Sequence, residues 1–190
     1  MGFDSKRFTR YVLVEVKSLV IMVFVERGIF MFNDEIVIKT ERLYMRKFNE
    51  NDLDYLYEIT SNPSVMRYFP KTLDRAETDD LLHKIVKNYE LKGTSFWAAF
   101  TNETNDFVGM CGLLHQTIDN LEELEIAYRI VEKYWCNGYA IELAEACRDN
   151  ALNILGKERV ISLIRPDNIP SKKVATKIGL KYSKNINFLT

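Results

Sequence analysis

Residues 124 to 155, LEIAYRIVEKYWCNGYAIELAEACRDNALNIL, constrain the fold more than any other stretch of the chain. Ile126, Tyr128 and Ile130 alternate with Glu125 and Arg129, which is the period of a strand. From Gly138 onward Ala140, Ala144, Cys147, Ala151 and Leu155 recur at helical spacing on one face. A strand over Leu124–Val131 and a helix over 138–155 are therefore predicted, joined by YWCNGYA. That loop holds no serine, threonine or aspartate to cap the helix, so its first backbone N–H groups lack a side-chain partner. Gly138 leaves room for a group to approach the backbone closely. Bare N–H groups at the positive end of a helix dipole suit a phosphate or diphosphate. The competing reading is an ordinary strand-to-helix turn in which Gly138 supplies a positive φ.

A chain of 190 residues with 47% hydrophobic content is sized for one domain with a sizeable core, with room for an appendage. The 26 basic and 27 acidic residues nearly cancel, so no basic field points to nucleic acid. Cys111, Cys136 and Cys147 are odd in number and none forms a CxxC pair; His83 and His115 stand alone. Neither a disulfide framework nor a metal site is expected, and a reducing, cytoplasmic setting is the default. The apolar run Ser18–Val25 is too short to span a bilayer, and no small-residue cleavage site follows it.

Residues 1–34 read as an N-terminal extension outside the main domain, with a strand-like alternation over Tyr11–Val16 and Met31 as a possible alternative start. The domain at 35–190 opens with one kinked strand, Ile36–Lys39 and Arg42–Phe48. Asn51 or Asp52 caps a helix over Leu53–Thr60, and Asp74 with Glu77 caps another over Ala76–Lys92, which Gly93 ends. Ser95–Thr101 and Phe107–His115 make an antiparallel hairpin. After the strand-loop-helix unit come a buried strand (Arg159–Arg165), a helix (Ser171–Ile178) and a last strand (Leu180–Phe188). Hairpins followed by βαβ crossovers predict an α/β fold with a central mixed sheet flanked by helices.

Four pieces in order resemble the GCN5-related N-acetyltransferase (GNAT) superfamily, and within it the RimJ/RimL-like ribosomal-protein branch. They are TERLYMRKF at 40–48 with the helix opening NDLDYLYEI, then LEIAYRI, YWCNGYAIELAEA and PDNIPSKKVATKIGLKY. The likeness covers about residues 35 to 188. Two departures stand out. Cys136 occupies the place of the family's first loop glycine, and the sequence stops short of the family's further strand after Leu180–Phe188, a place the N-terminal strand-like segment is positioned to fill.

The resemblance implies acetyl transfer from acetyl-CoA, as co-substrate, to a primary amine, such as a ribosomal or other protein N-terminus or a small-molecule amine. It implies that the N–H groups of Cys136, Asn137, Gly138, Tyr139, Ala140 and Ile141 hold the diphosphate. The edge of Tyr128, Arg129 and Ile130 would hold the pantetheine arm, and so would the amide of Asn168, against a reading as a turn residue after Pro166. Glu125 is the candidate general base, against a reading as a solvated strand carboxylate or partner of Arg129. Ser171 is the candidate for orienting a water or the sulfur, against a reading as the N-cap of its own helix. Where relatives carry a tyrosine acid on the last helix this chain has Ala175. Tyr68 and Trp135 fit either the cleft or, more commonly, the core. A monomer or homodimer, free of metal, nucleic acid and membrane, is expected. The alternative is a non-catalytic acyl-CoA-binding or interaction module.

Overall fold

The computed structural model describes residues 7–16 and 36–189. Its strands are β1 (Arg7–Val16), β2 (Ile36–Lys39), β3 (Leu43–Lys47), β4 (Phe96–Thr101), β5 (Phe107–Ile118), β6 (Leu121–Ile130), β7 (Arg159–Ile164) and β8 (Lys181–Leu189). The helices are α1 (Leu53–Thr60), α2 (Arg75–Lys92), α3 (Tyr139–Asp149) and α4 (Ile169–Lys177). The strands form one mixed sheet in the order β2-β3-β4-β5-β6-β7-β1-β8. Neighbours are antiparallel except β6 and β7, which run parallel. The expected α/β mixed sheet is therefore present.

Alternation along the strands divides the core between the two faces of the sheet. On one face Leu43, Met45, Cys111, Leu113, Ile126 and Ile130 pack with Leu143, Ala144 and Cys147 of α3 and Ala175 of α4. On the other, Phe96, Ala98, Phe100 and Met110 pack with Leu56 and Ile59 of α1 and Leu82 and Ile85 of α2. Near that second cluster Arg46 and Asp52 form a two-pronged ion pair at 2.6 and 2.8 Å, both side chains buried. Asp52 also accepts from the Asn49 N–H.

Local departures from the sequence reading have simple causes. The expected kinked strand is a hairpin, because Thr40 N–H bonds back to the Leu43 carbonyl and turns the chain through Glu41–Arg42. The cap ahead of α1 is Asn49, which closes a capping box with Asp52 over a short 3-10 turn. The box at Asp74 and Glu77 and the left-handed Gly93 frame α2 as expected. The helix predicted over 138–155 is α-helical only to Asp149 and then widens into a π turn over Asn150–Ile154.

β1, from the segment read as an extension outside the domain, is a strand of the sheet. It pairs antiparallel with β7 on one side (Val12 opposite Leu163) and with β8 on the other (Val12 opposite Lys184). Val12 and Leu13 are buried. The rest of the proposed extension, including Ser18–Val25 and Met31, lies outside the described residues.

Candidate active site

β6 and β7 meet at a single parallel bridge, Glu125 opposite Ile161, and separate beyond it. Side chains bind the two strands at that fork. The Ser162 hydroxyl donates to the Ile126 carbonyl at 2.9 Å, and the Leu163 N–H donates to Glu125 Oε1 at 3.3 Å. Further along, the Trp135 indole donates to the Ile130 carbonyl at 2.7 Å. The hydrogen-bonding groups of a strand alternate sides with a period of two, so those of Tyr128 turn the same way, into the open fork. This edge is where an extended, amide-bearing ligand would add as a further strand.

Glu125 is 5% exposed, so it is not the solvated carboxylate that a strand glutamate usually is. Its Oε2 accepts from Gln116 Nε2 at 2.6 Å. Gln116 in turn lines a cavity of about 210 Å³ between α2 and the β4–β5 pair. The hydroxyls of Thr94 and Ser95 at that cavity are buried and lack a hydrogen-bond partner among the described residues. The sequence reading missed Gln116, since one glutamine at the end of a strand carries no pattern.

Arg129 lies on the opposite side of β6 from Tyr128 and stacks on Phe69, its guanidinium carbon 3.9 Å from the ring centroid. The segment between α1 and α2 is thereby held against β6. The Tyr128 phenol is buried, which pushes its pKa up, and it donates to the Ser171 carbonyl at 3.0 Å. The α4 N-cap is Asn168, whose Oδ1 accepts from the Ser171 N–H at 3.1 Å. This assigns to Asn168 the capping role that the sequence allowed for Ser171. Ala175 is fully buried. Trp135 is 44% exposed and so is not a core residue; Tyr68 is half-buried.

Cys136 and Gly138 both have left-handed backbone, with φ of 63° and 81°. That geometry explains a Gly-x-Gly preference at this loop. α3 starts with no side-chain cap. The N–H groups of Cys136, Asn137, Gly138, Tyr139 and Ala140 bond to no group among the described residues, whereas Ile141 N–H is taken by the Gly138 carbonyl at 3.1 Å. A Cβ built on Gly138 would meet nothing nearer than the Arg42 guanidinium at 3.4 Å, so this stretch of backbone is open to a ligand. A diphosphate fits such a donor set. Ile141 is the weakest of the expected donors.

The sequence-predicted residues thus fall into two groups. Glu125, Tyr128 and Ile130 gather at the fork with Ser171 and Asn168 beside them, and residues 136–141 form the turn into α3. Among the described residues no cluster of His, Cys, Asp and Glu is arranged to hold a metal, and no helix is long and apolar enough to cross a membrane.

Residues 42–181 match the model of the acetyltransferase (GNAT) domain. The chain is 35% identical over 155 residues to YkkB of Bacillus subtilis (strain 168), covering 81% of this chain and 90% of that protein. It is similar to a crystal structure of a GNAT-family acetyltransferase from Bacillus anthracis, with a TM-score of 0.66, 29% identity, and 76% and 82% of the two chains covered. The fold is also that of a RimL ribosomal alpha-N-protein acetyltransferase in complex with coenzyme A, with a TM-score of 0.63 at 17% identity over 76% and 83% of the chains. The forked strands, the uncapped turn into α3 and a family match across most of the chain agree: this chain belongs to the GNAT acetyltransferase family and is an acyltransferase.

Proposed function

We propose that the chain transfers an acetyl group from acetyl-CoA to a primary amine by direct attack within a ternary complex. The observation that carries this reading is the run of N–H groups from Cys136 to Ala140, without partners among the described residues, beside the open β6–β7 fork. The co-substrate supplies the activated acyl group. The chain supplies the diphosphate cradle at residues 136–140, and a strand edge at Tyr128 and Ile130 for the peptide-like arm. The Ile130 N–H, turned into the fork by the same alternation as Tyr128, is placed to stabilise negative charge on the thioester oxygen. Asn168, at the far wall of the fork, is assigned to the same arm.

The attacking amine must shed a proton, and Glu125 is assigned to receive it, directly or through water. The proton ends on the carboxylate or the solvent, the new C–N bond forms, and the C–S bond breaks to release the thiolate. No phenol is available from α4 for that thiolate, because Ala175 stands there buried. Ser171 is assigned only the orientation of a water near the sulfur. The buried Ala175 also favours a second reading, a module that binds acyl-CoA without turning it over.

A protein N-terminus fits the RimJ/RimL-like likeness, and the RimL structure with coenzyme A supports the co-substrate assignment. A small-molecule amine fits the open cavity lined by Gln116. A cytoplasmic monomer or homodimer without metal completes the reading. Calorimetry with acetyl-CoA, followed by coenzyme-A release over a panel of amines and N-terminal peptides, tests it. Binding with turnover of at least one amine supports transfer. Binding without turnover supports the module, and no binding removes both. Gly138→Glu should abolish binding, since it places a charged side chain where the diphosphate would lie.

A further inference from the structure

The TERL segment at 40–43 and the turn into α3 lie a hundred residues apart in sequence and are bonded together. Glu142, in the first turn of α3, receives four donors from the β2–β3 turn. Thr40 Oγ1 reaches Oε1 at 2.6 Å and the Arg42 N–H reaches it at 3.0 Å. Arg42 Nε and a terminal nitrogen both reach Oε2 at 2.6 Å. The other end of the same guanidinium donates to the Asn137 carbonyl at 3.0 Å, and its flat face lies 4.8 Å from the centre of the Tyr139 ring. One arginine therefore touches Asn137, Tyr139 and Glu142, that is, both sides of Gly138.

These contacts decide which way the loop's donors point. A trans peptide directs its C=O and N–H to opposite sides, and the chain has no cis bond among the described residues. With the Asn137 carbonyl fastened to Arg42, the Gly138 N–H is turned away from Arg42, to the open side of the loop. The ion pair also controls charge. Glu142 is acidic and one turn from the cradle, where an unpaired carboxylate would repel a diphosphate. Burial would push the Glu142 carboxyl up, yet the bonds from Thr40 and Arg42 outweigh it and hold the carboxyl below its usual range, ionised and spoken for.

We propose that Arg42, with Thr40 and Glu142, is a positioning clamp that holds the 137–139 peptides in the orientation that binds the diphosphate. This rests on the acetyl-CoA reading above. Its role is to place other donors; the diphosphate itself is held by the backbone.

The test compares two probes that differ in the diphosphate and the 3′-phosphorylated adenosine joined to it. Acetyl-CoA affinity is measured by calorimetry, and acetyl-pantetheine, which lacks the diphosphate, is titrated at millimolar concentration against the 15N-labelled amides. Arg42→Ala should weaken acetyl-CoA by about tenfold or more, the scale of one lost charge-assisted contact, and leave acetyl-pantetheine within about twofold. Adding Glu142→Gln to that variant should restore only part of the loss, because it removes the repulsion without restoring the peptide orientation. Arg42→Lys keeps the charge and loses the fork, so it should fall between wild type and Arg42→Ala. If Arg42→Ala does not fold, Thr40→Ser, which keeps the hydroxyl, should bind acetyl-CoA within about twofold of wild type, whereas Thr40→Val, which removes the donor to Glu142 and the acceptor of the Leu43 N–H, should weaken acetyl-CoA severalfold while acetyl-pantetheine stays within about twofold.

Undiminished acetyl-CoA binding in a folded Arg42→Ala or Thr40→Val protein overturns the clamp, and so does an equal loss for both probes. A wild-type protein that binds no acetyl-CoA is a different failure, that of the reading on which the clamp rests.

Discussion

The Ser162 hydroxyl donates to the Ile126 carbonyl at 2.9 Å, at the point where β6 and β7 begin to part. Both residues are buried, so this bond replaces a ladder contact the fork has given up. Ser162→Ala should leave that carbonyl unpaired and cost about 1–3 kcal/mol of folding stability. Urea unfolding of the variant measures it. A stability equal to wild type would mean that the fork is held open by other contacts.

Glu125→Gln retains the shape of the side chain and one acceptor oxygen for the Leu163 N–H, and its amide N–H meets Gln116 once that side-chain amide turns over, but it accepts no proton. With a competent amine the turnover rate should fall by about 100-fold or more near neutral pH. Acetyl-CoA affinity should stay within about twofold of wild type, since the carboxylate is assigned to the amine. Steady-state kinetics beside calorimetry separates the two. Equal falls in affinity and turnover would assign Glu125 to holding the fork together.

The three thiols should react in two classes. Cys111 and Cys147 are buried with their sulfurs 3.4 Å apart, and burial followed by the neighbouring Cys111 thiol raises the Cys147 pKa. Cys136 is exposed on the loop. A thiol reagent should therefore label Cys136 alone in the folded protein, and saturating acetyl-CoA should slow that labelling. Cys136→Gly should raise stability by about 1 kcal/mol, because a left-handed φ of 63° is strained for a residue with a side chain. Mass spectrometry of labelled protein and thermal unfolding of the variant check both statements.

The Glu142 ion pair carries a pH signature. Its carboxyl has a folded-state pKa below the ordinary value of 4.5. A depressed pKa contributes stability that is complete above the unfolded-state value and lost as pH falls through the folded one. The stability gap between wild type and Glu142→Gln should therefore be largest near neutrality and shrink as pH falls below about 4.5. Denaturant midpoints of both proteins across that range read it directly. A gap that does not change with pH would mean that the carboxylate's charge contributes nothing.

Asp52 accepts both prongs of Arg46, with 4% of its side chain exposed. Asp52→Ala would take the carboxylate from a buried guanidinium that keeps the Lys47 carbonyl and the Phe100 ring, and it would also remove a member of the capping box ahead of α1. The expected loss is about 3–5 kcal/mol, measured by denaturant unfolding.

Much of this was legible wherever two local signals agreed. Period-two alternation through Ile126, Tyr128 and Ile130, followed by helical spacing from Ala140, located β6 and α3 because each pattern is set by near neighbours. Asp74 and Glu77 marked the start of α2 for the same reason. What stayed hidden depends on partners distant in sequence. Glu125 is bonded in the fold by Gln116 and Leu163. The role of Arg42 required knowing that Glu142 lies against it. The hairpin at Thr40 was read as a kink because its turn lacks glycine and proline.

The strand from residues 7–16 is hydrogen-bonded to partners at 159–164 and 181–189, much further along the chain. β1 is therefore synthesised well before either of the strands that flank it. During that interval an extended segment is presented to chaperones and to other nascent chains, so faithful folding depends on how long it stays unclaimed.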